Sequence, residues 1–154
     1  MTAPLTAGER LPDFQLRDDH GRDVTADTLR AGIVVLYVYP KDETPGCTRL
    51  ACGFRDGLEA FAERKARVFG VSPDGVGSHA RFRDKYGLTF PLLADPDGVL
   101  CRALGVWGEQ RYGEHRWMGA ARTTFVLRDG VIETVFEKVD VTGHTERVLA
   151  ALPR

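Results

Sequence analysis

The sequence is poor in most of the features that mark large functional classes. Twenty-one Lys and Arg stand against 22 Asp and Glu, so no large single-sign field exists to attract nucleic acid or anionic lipid. No apolar run reaches membrane-spanning length, and Met1 to Arg10 lacks the apolar stretch of a signal peptide. Three cysteines in 154 residues cannot all pair within the chain and fall far short of a secreted disulfide scaffold. The four histidines, His20, His79, His115 and His144, form no metal spacing with a cysteine pair, and His79 reads as a surface or capping residue at a helix start. There is no Gly-rich phosphate loop, no repeat and no low-complexity tract. The absences lead to an expected soluble, cytoplasmic protein with reactive thiols, no nucleic-acid or membrane partner, no metal and no cofactor.

What is present is a chain with 43% apolar residues, enough for one domain spanning residues 1–154. Two short β-like pieces, Phe14 to Leu16 and Asp23 to Thr25, flank a turn at Asp18 to Arg22. Ile33 to Tyr39 is β-branched and aromatic on both faces, as a buried strand is, and it stops at Pro40. Arg67 to Ser72 reads as a second buried strand, followed by a helix from Ser78 to Tyr86. Phe90 to Ala94 is a short apolar segment, Asp95 to Gly98 a turn, and Val99 to Leu104 a short helix. Gly105 to Gly119, polar and carrying Trp107 and Trp117, reads as a long surface loop. Thr123 to Leu127 and Val131 to Phe136 form a hairpin about Arg128-Asp129-Gly130. A closing helix starts at Thr142 or Thr145 and ends near Leu152. Strands alternating with helices, then a hairpin and a helix, predict a three-layer α/β sandwich with a mixed central sheet and an N-terminal β-hairpin.

The segment after Pro40 carries the chemistry. Thr44 suits a helix N-cap, Pro45 the first helical position, and apolar residues recur at Leu50, Phe54, Leu58 and Phe61. Cys47 falls on that stripe at the third helical position. A thiol is nucleophilic as the thiolate, and the free amides and positive end of a helix stabilise that anion. Pro40, Pro45 and Gly46 shape the approach to the sulfur, and the Thr44 hydroxyl is expected to hydrogen-bond both sulfur and substrate. The competing reading is an inert core cysteine, since free cysteine is commonly buried. The residues alone leave both open.

Pro40-x-x-x-Thr44-x-x-Cys47 after a buried strand resembles the active-site signature of the peroxiredoxins. Thr44-Pro45-Gly46-Cys47-Thr48 with Ala51-Cys52-Gly53-Phe54-Arg55-Asp56 is similar to their bacterioferritin-comigratory (PrxQ) branch. The likeness extends to Asp95-Pro96-Asp97-Gly98, Gly105-Val106-Trp107-Gly108-Glu109 and Arg122-Thr123-Thr124-Phe125, covering most of Leu11 to Leu152. Leu50 departs from it, standing where that branch usually carries Glu, and is expected to pack on the apolar stripe. The resemblance implies a thioredoxin-like fold and a hydroperoxide substrate. In it Cys47 attacks peroxide oxygen and becomes a sulfenic acid, Thr44 and Pro40 shape the site, and Arg122 supplies fixed positive charge. It also implies reduction by thioredoxin or a similar dithiol protein, and a monomer is expected rather than a stable oligomer.

Cys52 is expected to resolve the sulfenic acid to an intramolecular disulfide. In an intact helix Cys47 and Cys52 lie ~140° apart with α-carbons ~8 to 9 Å apart, beyond the disulfide limit of about 7 Å. The turn must therefore unwind, and Gly53 and Gly57 weaken it. Cys52 shares a face with Arg49, Asp56, Glu59 and Glu63, so it is expected to face solvent. Cys101 is expected to be a buried spectator. Asp42 and Glu43 would disfavour a nearby thiolate and are expected to point to solvent. Two other readings compete with the peroxidase. A disulfide reductase calls for Cys-x-x-Cys and a proline before the strand at Thr123, both absent here. A peroxide-sensing thiol switch or holdase-like interaction protein would use the same Cys47-Cys52 pair.

Overall fold

The computed structural model describes residues 3–153. Strands β1 (Gln15–Arg17) and β2 (Asp23–Thr25) pair antiparallel, and Asp18 closes their turn by accepting from the His20 and Arg22 backbone amides. A four-residue helix α1 (Ala26–Leu29), which the sequence pattern does not announce, leads to β3 (Ile33–Val38). Helix α2 (Pro45–Glu63), strand β4 (Ala66–Ser72), helix α3 (Val76–Tyr86), strand β5 (Leu92–Ala94) and helix α4 (Val99–Ala103) follow. The chain ends with β6 (Trp107–Tyr112), β7 (His115–Ala120), β8 (Thr123–Arg128), β9 (Val131–Phe136) and α5 (His144–Ala150).

Seven strands form one mixed sheet in the order β2-β1-β5-β4-β3-β8-β9. Strand β3 is central, parallel to β4 and antiparallel to β8. Its residues alternate between two cores, because successive side chains of a strand point to opposite faces. Val35 and Tyr37 join Cys47, Leu50, Phe54 and Phe61 of α2, Phe82 of α3 and Val148 of α5 on one face. Val34, Leu36 and Val38 join Leu29 of α1 and Leu100 and Cys101 of α4 on the other. The result is the three-layer arrangement with a mixed sheet. Leu50 is buried on the apolar stripe of α2, and Gly53 and Gly57 let Thr145 of α5 approach that helix. A Cβ at Gly53 would lie 2.7 Å from the Thr145 Oγ1, and one at Gly57 would lie 3.1 Å from its methyl group.

Three sequence expectations are corrected. Gly105 to Gly119 is no loop: β6 and β7 pair from Trp107↔Ala120 to Tyr112↔His115 in a separate two-stranded sheet, turning where Gly113 has φ 62°. Both faces of β7 are exposed over its first four residues, so no apolar alternation marks it. Helix α3 begins at Val76 after Gly75, two residues before Ser78. Helix α5 is entered through Gly143 at φ 69° rather than through a threonine cap. In both, a glycine supplies the backbone entry, so no side-chain cap is needed.

Candidate active site

Strand β3 delivers the chain to Pro40, and the turn from Lys41 to Thr44 aims α2 so that its first residues face the end of β8. Pro45 occupies the first helical position and Thr44 the N-cap, with extended φ −76° and ψ 151°. Contrary to expectation, among the described residues the Thr44 hydroxyl neither caps the helix nor bonds the Cys47 sulfur. It donates to the Lys41 carbonyl at 3.0 Å, while the Thr44 carbonyl accepts from the Thr48 amide at 2.8 Å. With its one hydrogen committed, the hydroxyl oxygen keeps its lone pairs as acceptors.

Cys47 is the third residue of α2 and is fully buried. Arg122, immediately before β8, reaches across so that its Nη2 donates to the Cys47 Sγ at 3.1 Å. The sequence separation is long, and the contact depends on Gly46: a Cβ there would lie 3.0 Å from the same Nη2. Guanidinium and helix N-terminus therefore meet at one sulfur from two directions, the kind of arrangement used to activate cysteine thiols. Arg122 Nε is buried and has no partner among the described residues. Pro40, Thr44 and Gly46 are half-buried, as is Arg122. Pro40 stands outside the hydrogen-bonded group.

The AhpC/TSA family model matches residues 7–135. The chain belongs to that family. Within it, the chain is a peroxiredoxin of the bacterioferritin-comigratory or PrxQ branch. It is 40% identical over 149 residues to peroxiredoxin Bcp of Bacillus subtilis, with 96% of this chain and 95% of that protein covered. Peroxiredoxin Q of Xylella fastidiosa superposes with a TM-score of 0.89 at 34% identity, over 96% of this chain and 95% of that one. The bacterioferritin comigratory protein of Xanthomonas campestris, studied for its alkyl peroxide reduction activity, is 37% identical with a TM-score of 0.86, over 98% and 96% of the two chains. The thioredoxin-like fold of these peroxiredoxins is the fold found here.

In this peroxiredoxin the three cysteines are all free. Cys52 is half-buried, not turned fully to solvent. Cys101 is fully buried in the opposite core from Cys47, with the central sheet between them. Burial, and then the charge and hydrogen bond of Asp95, push its thiol far up.

Two further expectations fail. Asp42 is buried, not solvent-directed, because it accepts hydrogen bonds from Tyr39, Ser78 and His79. Glu43 does reach the surface, where Lys85 pairs with it at 2.9 Å. His79 is fully buried and bridges Asp42 to the Leu93 carbonyl. Nothing in the local pattern marks it, since its partners come from the β3–α2 turn and β5. His144 is buried too, bonded to Thr124 at 2.8 Å. Burial first, and the nearby Arg147 second, lower its pKa to about 4, so it is a neutral packing residue at pH 7. Among the described residues no group of three or more His, Cys, Asp or Glu could hold a metal, and no helix is long and apolar enough to cross a membrane. A surface groove of about 460 Å³ lies beside Trp107, Ala121, Thr123 and Lys138. Its lining includes Ala121 and Thr123, the chain neighbours of Arg122, but neither Arg122 nor Cys47.

Proposed function

We propose that this peroxiredoxin reduces hydrogen peroxide and organic hydroperoxides through a Cys47 thiolate. The observation that carries the reading is the Arg122 guanidinium 3.1 Å from the Cys47 Sγ at the start of α2. The sulfur attacks one peroxide oxygen, an S–O bond forms, the O–O bond breaks, and the leaving oxygen takes a proton to depart as water or alcohol. Arg122 stabilises the charge that moves from sulfur to oxygen, and its unpartnered Nε is a further donor for that oxygen. Thr44, with its own hydrogen on the Lys41 carbonyl, accepts from the peroxide hydroxyl. Cys47 is left as the sulfenic acid.

Cys52 then attacks the sulfenic sulfur, an S–S bond forms, and the hydroxyl leaves as water with the Cys52 proton. Both cysteines lie within the unbroken helix α2, so its first turns must open for this step. Arg55, one turn beyond Cys52, places a cation on that stretch while tying it to the Tyr86 carbonyl at 2.6 Å. Thioredoxin or a similar dithiol protein returns the pair to thiols, becoming a disulfide itself. The sensor reading keeps one specific support: Phe54 stacks edge-on against His144, with ring centroids 6.1 Å apart, so opening α2 would disturb α5.

Peroxide consumption coupled to NADPH through thioredoxin and thioredoxin reductase separates the two readings. Wild type should turn over many equivalents and Cys47→Ser should consume none. A single stoichiometric oxidation without turnover supports the sensor, and an active Cys47→Ser overturns the assignment of the nucleophile. Peptide mapping after one equivalent of peroxide should give a Cys47-Cys52 link; a dominant Cys47-Cys101 link removes Cys52 from its role.

A further inference from the structure

The turn between β3 and α2 carries a buried acid, Asp42, bonded to a buried histidine of α3, His79, and the chemistry above uses neither. The Asp42 carboxylate accepts from the Tyr39 hydroxyl at 2.6 Å, the Ser78 hydroxyl at 2.8 Å and His79 Nδ1 at 2.6 Å. The other ring nitrogen of His79 meets the Leu93 carbonyl at 2.8 Å. The Leu93 carbonyl can only accept, so the ring nitrogen facing it carries a hydrogen. The Asp42 backbone amide is held as well, donating to Asp74 Oδ2 at 2.6 Å. One residue of the turn is thereby tied to Tyr39 just past β3, to the β4–α3 connection, to α3 and, through His79, to β5. Burial works to raise the Asp42 carboxyl, but the His79, Tyr39 and Ser78 hydrogen bonds outweigh it and hold the group below its ordinary value.

Burying such a pair is seldom the cheapest route to stability, so its use lies in what it fixes. The next residue, Glu43, has φ 63°, a left-handed conformation that costs a non-glycine residue about 1 kcal/mol. Its side chain is exposed and pairs with Lys85 at the surface, so the side chain does not impose that conformation. Strain of this kind persists where the flanking structure over-determines the backbone, and here the flanks are anchored Asp42 and helix-starting Thr44. The same short turn holds the Lys41 carbonyl that takes the Thr44 hydrogen.

We propose that Asp42 and His79 are positioning residues for peroxide reduction, holding the strained turn from Lys41 to Thr44 so that the Thr44 hydroxyl presents its acceptor side to the peroxide beside Cys47. The proposal rests on the peroxidase reading above. Asp42 and His79 act through the turn and touch neither the sulfur nor the substrate.

The test measures two rates on the full chain: oxidation of Cys47 by hydrogen peroxide in a single turnover, and alkylation of Cys47 by iodoacetamide, which needs the thiolate and no Thr44 geometry. Asp42→Asn and His79→Gln should lower the peroxide rate by about thirtyfold and change the alkylation rate by less than about twofold. In a Thr44→Val background the same substitutions should add little, about twofold or less, because both act on one step. Ser78→Ala, which removes one hydroxyl donor and leaves the rest, should lower the peroxide rate about threefold, and it decides the matter should Asp42→Asn not fold. A folded Asp42→Asn with an unchanged peroxide rate, parallel loss of both rates, full additivity with Thr44→Val, or an unchanged Ser78→Ala beside an unfolded Asp42→Asn would each overturn the proposal. Wild type reacting with peroxide no faster than free cysteine would overturn the peroxidase reading and this proposal with it, whereas a fast wild type beside a fast Asp42→Asn overturns the proposal alone.

Discussion

Cys47 and Cys101 occupy the same place in two helices and have opposite surroundings. Each is the third residue of its helix, α2 and α4, and each is fully buried. Helix position alone therefore does not separate the proposed nucleophile from the proposed spectator. Two things do. Helix α2 runs for 19 residues and α4 for 5, so α2 presents the stronger positive end. The nearest charged group is Arg122 at one sulfur and Asp95 at the other, whose Oδ2 also accepts the Cys101 amide at 2.9 Å. A cation stabilises a thiolate and a carboxylate opposes it. The central sheet keeps the two environments apart.

The largest effect should come from removing the cation that distinguishes the two sites. Arg122→Met keeps most of the length of the side chain and takes away its charge and donors. The single-turnover rate of Cys47 with hydrogen peroxide should fall about a hundredfold, the scale of losing one donor to a developing oxyanion. Arg122→Lys restores charge without the planar fork and should recover only part of the loss. If Arg122→Met reacts as wild type does, the comparison is broken, because Cys47 would then owe its reactivity to the helix alone.

A smaller effect should follow from Gly46→Ala. The added methyl would meet the Arg122 Nη2 at 3.0 Å, and the guanidinium is the mobile end of a long side chain, so it yields rather than the backbone. Moving it by a fraction of an ångström should cost about tenfold in the peroxide rate, with thermal stability close to wild type. A stopped-flow measurement beside a melting curve reads both. A large loss of stability with the peroxide rate intact would mean that Gly46 serves folding and not the placement of Arg122.

How much of this was legible in the sequence depends on whether the partners were local. The start of α2 was, because Thr44, Pro45 and the stripe from Cys47 to Phe61 lie within one helix and obey its period. Strands β3 and β4 were, because buried strands carry apolar runs, and β8 and β9 were, because Asp129-Gly130 marks the turn of their hairpin. The bond between Arg122 and Cys47 was reachable only through the resemblance of linked motifs to a family, since no periodicity joins residues that far apart. The Asp42 and His79 pair was not legible. Carboxylate and imidazole side chains read as surface groups until the fold shows that each bonds the other and finds its remaining partners in Tyr39, Ser78 and the Leu93 carbonyl. The β6–β7 hairpin escaped for a related reason: most of β7 is exposed on both faces, and polar alternation leaves no pattern to find.

The smallest effect is expected at the cysteine that stays silent. Asp95→Asn removes the carboxylate charge beside Cys101 and leaves a side-chain oxygen to accept the Cys101 amide. If charge were what holds Cys101 inert, alkylation of that thiol in the folded protein would rise steeply. Burial, however, is the first cause of the upward push on its pKa, ahead of the charge and the hydrogen bond of Asp95. The alkylation rate of Cys101 should therefore change by no more than about threefold, and unfolding in denaturant should be what releases it. Mass-resolved alkylation of Asp95→Asn with and without denaturant measures this directly. A rise of a hundredfold in the folded variant would show that the carboxylate, not the core, separates Cys101 from Cys47.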